Sequence, residues 1–207
     1  EEACRQAVNH GAKGMLLTDW GDFGHHQFPF TSYHAIIGAS ALSWNQTSNG
    51  EYNLDDAVDS TFLRGTSSAT AKAIFKLSKI VSSFQYKPDN RTLLNDLLMS
   101  NDRKLKDQLD HTNARELKRS HERLCEFISL TEAEKPFWAA TDLVSRELVF
   151  TSELLKFAAL KGLKAFSKVD WDLQEGKERL IGQYKSLWLS RNRPGGLNES
   201  AAYLEKA

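Results

Sequence analysis

The chain has 207 residues, 41% hydrophobic and 26% charged, enough to bury the core of one medium domain or of one domain with an appendage. Lys plus Arg and Asp plus Glu number 27 each, so there is no basic surplus to neutralise a phosphate backbone, and nucleic acid is not an expected partner. No apolar run reaches the roughly 18 residues of a membrane span, Glu1-Glu2-Ala3 does not read as a signal peptide, and Cys4 and Cys125 lack metal-ligand or CxxC spacing and read as buried thiols.

Glu1 to His10 sets Ala3, Cys4, Ala7 and Val8 at spacings of three and four before Gly11, the pattern of a short amphipathic helix with a glycine stop. Gly14-Met15-Leu16-Leu17-Thr18 is a small and apolar run that suits a fully buried parallel strand. It ends abruptly in Asp19-Trp20-Gly21-Asp22-Phe23-Gly24-His25-His26-Gln27. A glycine-rich polar segment after a buried strand is where α/β barrels carry ligand chemistry. A helix follows from Ser32 to Trp44, whose small residues Ala35, Gly38, Ala39 and Ala41 permit close packing on a sheet. Residues 1–47 thus read α-β-α. The polar stretch Asn45 to Asn53 is the expected boundary between a unit of residues 1–52 and one of residues 53–207.

Beyond that boundary the pattern is helical only. Asn53 or Asp55 can cap a helix through Phe62, and Thr66-Ser67 a longer one with Ala71, Ile74, Phe75, Leu77, Ser78 and Val81 on one face. Leu93, Leu94, Leu97 and Leu98 form a short apolar face, and the mixed charges of Asn101 to Asp110 read as a loop or a solvated helix. Helices are expected over Asn113 to Leu130, Pro136 to Lys168 with a bend at Gly162, and Asp170 to Arg191. Asn192 to Gly196 stops the last of these, and Glu199 to Glu205 forms a final short helix.

The chemistry concentrates in residues 19–27. Trp20 can stack its indole on the C–H face of a pyranose while ring hydroxyls reach polar neighbours. Asp22, two residues on, can accept two hydroxyls in charge-assisted hydrogen bonds. His25 and Gln27 add an imidazole and an amide at the same rim. Asp19 with Asp22 also has the spacing of a paired acid and base. Asp19, Asp22, His25 and His26 carry donors suited to zinc or manganese. Adjacent histidines in an extended loop point opposite ways, however, so no metal is expected.

Trp20 and Asp22 at a strand end, Pro29, Tyr33 and the small-residue helix through Ser40-Ala41-Leu42-Ser43-Trp44-Asn45 together resemble the last βα unit of the barrel in glycoside hydrolase family 20, the β-N-acetylhexosaminidases and their relatives. In that family a Trp-x-Glu element closes the sugar pocket. Here the acid is Asp22, one methylene shorter, which implies a divergent branch. Tyr184 to Leu197 is similar to the helical tail of bacterial members of that branch. The resemblance implies a mainly α chain, a helical bundle preceded by a short α-β-α remnant of a (β/α)8 barrel. It implies a C-terminal part of an enzyme that removes a terminal N-acetylhexosamine, with the substrate's own acetamido group as nucleophile.

By the same resemblance the acid/base pair sits on an earlier strand, so this chain carries no catalytic residue, needs no cofactor and is inactive alone. Its part is a sugar-binding wall made of Trp20, Asp22, His25, Asp19 and Gln27, partnered by carbohydrate and by the rest of the barrel. An isolated strand edge also invites pairing with a second copy, hence a homodimer. The rival reading is a non-enzymatic helical interaction or assembly module. A glycosidase wall should gather Trp20, Asp22 and His25 around one concavity, whereas a module should bury Trp20 and expose an apolar groove along the bundle.

Overall fold

The computed structural model describes residues 2–22, 24–45, 52–64, 68–134, 142–167 and 172–206. Among them the chain is helical: α1 (Glu2–Asn9), α2 (Tyr33–Trp44), α3 (Leu54–Val58), α4 (Ala69–Val81), α5 (Leu93–Met99), α6 (Asp102–Leu109), α7 (Ala114–Glu134), α8 (Asp142–Phe166), α9 (Gln174–Arg191) and α10 (Leu197–Lys206). A 3-10 turn, Pro29–Ser32, leads into α2, and a π turn, Asp59–Leu63, extends α3.

Local chemistry explains several of these boundaries. Asn53 accepts hydrogen bonds from the backbone N–H groups of Asp55 and Asp56, Thr92 from that of Asn95, and Asn101 from that of Lys104. Each side chain satisfies a donor that the first turn of its helix leaves unpaired. Asn101 therefore starts a helix, and the charged stretch after it is the solvated helix α6, with Leu105 as its buried anchor. The expected cap at Thr66-Ser67 and the expected helix starts at Pro136 and Asp170 lie outside the described residues.

The bundle is built on α7 against α8, with α4 packed on α7, α5 and α9 on α8, and α10 on α9. Leu94, Leu97, Leu117, Leu124 and Leu148 are fully buried where these helices meet. Gly162 does not interrupt α8, which is helical on both sides of it. A Cβ at Gly162 would come 2.8 Å from Leu117 Cδ1, so the glycine admits α7 to close contact with α8. Cys4 is buried as expected, with its thiol 3.6 Å from Met15 Sδ, while Cys125 is only half-buried, beside His121.

Gly14 to Trp20 departs from the sequence reading. No strand forms there or elsewhere among the described residues. Ladder hydrogen bonds need a neighbouring strand, and the described residues offer this segment none. Leu16 is 86% exposed and Leu17 47%. The described residues 2–22 and 24–45 are thus helix, irregular connector and helix rather than α-β-α. The segment 28–33 nevertheless docks on the rest of the chain. Phe28 and Phe30 are buried, Phe28 meets Phe150 edge-on, and Tyr33 stacks on Phe62 at 4.2 Å.

Candidate functional site

The loop from Asp19 to Gln27 is tied at its base by its own polar groups. Ser32, at the entry to α2, donates its hydroxyl to Asp19 Oδ2 at 2.6 Å. Gln27 Nε2 donates to the Trp20 carbonyl at 2.6 Å, and the Trp20 indole N–H donates to Thr18 Oγ1 at 3.0 Å. Asp19 and Gln27 thus hold the loop's shape. The Trp20 side chain stands out, 73% exposed, and Asp22 and His25 are exposed beyond it.

Each glycine lies against a histidine ring, and Gly24 is also held by backbone. A Cβ at Gly21 would fall 1.4 Å from His25 Nδ1, because the imidazole folds back over that α-carbon. Gly24 has φ +94°, and a Cβ there would strike the His26 ring and the Ser200 carbonyl at 2.8 and 2.9 Å. His25 itself has φ 53°, a left-handed conformation that non-glycine residues rarely hold. This reversal sends neighbouring imidazoles in opposite directions, His25 outward and His26 inward.

His26 is 7% exposed and lies against Tyr184, ring centroids 5.2 Å apart, with Tyr203 at 6.4 Å. Its Nε2 is 3.2 Å from the carbonyl of Ser200. A carbonyl only accepts, so Nε2 carries the proton in the neutral ring. Burial pushes the His26 pKa down to about 4, with the neighbouring His25 adding to the effect, against the Ser200 hydrogen bond that raises it. Beside it, Tyr184 and Ser200 share a hydrogen bond, and both hydroxyls reach the Gly24 carbonyl, that of Tyr184 at 3.3 Å. Burial raises the Tyr184 pKa.

A second buried polar feature lies below the start of α2. Glu147 on α8 is fully buried and takes a bidentate pair from Arg191 on α9, at 2.7 and 2.8 Å. The hydrogen bonds to Glu147 push the Arg191 pKa above its usual value, and burial does the same for the phenol of Tyr33.

Gln27 thus meets the Trp20 backbone and Asp19 meets Ser32, whereas Asp22 and His25 are exposed, with the His25 ring lying over Gly21. A cavity between α5, α8, α9 and α10, lined by Leu98, Leu154, Phe157, Leu180 and Leu204, has about 10 Å³ and does not border the loop. No group of three His, Cys, Asp or Glu side chains converges on a metal position among the described residues. Sequence reading singled out His26 only as a metal donor or the paired histidine, and it missed Tyr184, Ser200 and the Glu147–Arg191 pair. The available signal was Ser200 sharing a helix face with Ala201 and Leu204, a hydroxyl on an apolar stripe.

No family model, no curated protein and no solved structure matches this chain. Its function is read from these residues.

Proposed function

We propose that residues 2–45 are the closing wall of a glycosidase-type barrel of the N-acetylhexosaminidase kind, whose remaining strands come from outside this chain, with the helical bundle as its support. The observation that supports this reading is a group of apolar side chains left open between α1 and the end of α2. Met15, Leu16 and Leu17 have the composition of a buried strand, yet they lie open at 38%, 86% and 47% exposure. Ile36, Ile37, Ala39, Ala41 and Leu42 of α2 are only half-buried, and Trp44 is 92% exposed. A helix apolar on all sides belongs inside a larger core. A barrel's penultimate strand would pair with residues 14–18 and cover these side chains.

In that assembly Trp20 is the stacking platform for the sugar ring and Asp22 the hydroxyl acceptor, with His25 at the rim. Asp19 and Gln27 hold the loop beneath them. The acid and the substrate-borne nucleophile act from the rest of the barrel, so this chain binds and orients the sugar.

The test is hydrolysis of an aryl N-acetyl-β-glucosaminide by the complete gene product. Trp20→Ala and Asp22→Ala should each lower kcat/KM by about tenfold to a hundredfold, the worth of one stacking surface or one charge-assisted hydrogen bond. A reading frame without an upstream barrel, or two variants that hydrolyse at the wild-type rate, overturns the proposal. The open apolar side chains equally suit an assembly module that docks on another protein, and in that case hydrolysis is absent from the wild type.

A further inference from the structure

The loop has a second anchor far away in sequence. Ser200, on the first turns of α10, donates its hydroxyl to the Gly24 carbonyl, and Tyr184, on α9, reaches the same oxygen. The Ser200 carbonyl takes the His26 N–H. Tyr184 is fully buried and Ser200 is 5% exposed, so both hydroxyls have left water, and they bond each other and this carbonyl. Backbone meets backbone here: the 2.9 Å between a Gly24 Cβ and the Ser200 carbonyl leaves no room for any other residue at position 24. The contacts converge on Gly24 and His26, on either side of the position from which His25 turns outward.

We propose that Tyr184 and Ser200 are positioning residues: through the Gly24 carbonyl and His26 they clamp the loop against the α9–α10 hairpin and set the direction in which His25 and Asp22 leave it. The consequence for sugar binding rests on the wall reading above, whereas the clamp itself does not. A buried hydroxyl pair aimed at one loop carbonyl costs desolvation and gives back direction. Apolar packing by Phe28 and Phe30 would hold the loop down without orienting it. The bundle therefore acts on the site as well as supporting it.

Amide hydrogen exchange in the complete gene product tests the clamp, with Tyr184→Phe, Ser200→Ala and Ser200→Thr beside the wild type. In Ser200→Ala the amides of residues 24–27 should exchange about tenfold faster, the loss of one hydrogen bond's worth of local stability, while those of α7 and α8 stay unchanged. Tyr184→Phe should act in the same direction, and it carries the test should Ser200→Ala fail to fold. Ser200→Thr, which keeps the hydroxyl, should restore protection. In aryl N-acetyl-β-glucosaminide hydrolysis, Ser200→Ala should raise KM several-fold. Unchanged exchange at residues 24–27 in both hydroxyl-deleting variants overturns the clamp. A wild type that hydrolyses nothing overturns the sugar wall and leaves the exchange result to decide the clamp.

Discussion

At the scale of single residues, His26 links the loop to the pH of the solution. Its folded pKa of about 4 lies below the usual 6.5 because the ring is buried against Tyr184 and beside His25. As pH falls below 6.5 the unfolded chain takes the proton first. The stabilising contribution of the neutral ring is therefore complete above that pH and is lost as pH approaches 4, roughly 3 kcal/mol across the interval. Urea unfolding at pH 7 and pH 4.5 should show this loss in the wild type and a flatter dependence in His26→Gln. Parallel slopes would rule the assignment out. The sequence marks both histidines and both glycines of this loop as unusual. Which imidazole goes inward depends on α10, whose Ser200 carbonyl is 174 residues away.

At the scale of elements, α8 and α9 are joined by the Glu147–Arg191 pair. Glu147 has no exposure, while the Arg191 side chain keeps 27%. Arg191→Met leaves a carboxylate buried without its counter-charge and should cost about 3 kcal/mol, read as a shift of the urea midpoint. Arg191→Lys should recover only part, since an ammonium cannot make the two parallel bonds. A midpoint within 0.5 kcal/mol of wild type, roughly what a plain surface change costs, would show that the pair contributes nothing. The helix start at Asn53 was legible from its capping residue, since a cap acts within its own turn, while the same signal at Thr92 and Asn101 went unread. Neither the pair nor the role of Gly162 was legible. Both depend on which helix lies opposite, and the spacing of apolar residues along one helix does not say so.

At the scale of the whole molecule, Val8, Leu16, Leu17, Trp20 and Trp44 are large apolar side chains open to solvent. Val8 is 65% exposed, and the four others range from 47% to 92%. An apolar surface of this kind drives association. Sedimentation of the 207-residue chain should show concentration-dependent self-association, reduced in the double variant Leu16→Lys with Trp44→Lys. Both side chains are exposed, so stability should stay within about 0.5 kcal/mol. A wild type that is monomeric at every concentration would mean that these side chains are covered by other means. Among the described residues no helix is long and apolar enough to cross a membrane.

The amino-acid sequence by itself determined the mainly helical class of this protein and the limits of several of its helices, because caps, glycine stops and apolar spacing act over a few residues. Met15-Leu16-Leu17 shows the limit of such signals. Its composition marks a strand, but a strand is a property of two segments, and its ladder needs a partner that the described chain does not hold. Only the tertiary structure decided that these residues stay open, that His26 rather than His25 is buried, and that Tyr184 and Ser200 meet the loop at Gly24. Each is a contact between segments far apart in sequence, where packing and desolvation outweigh local preference.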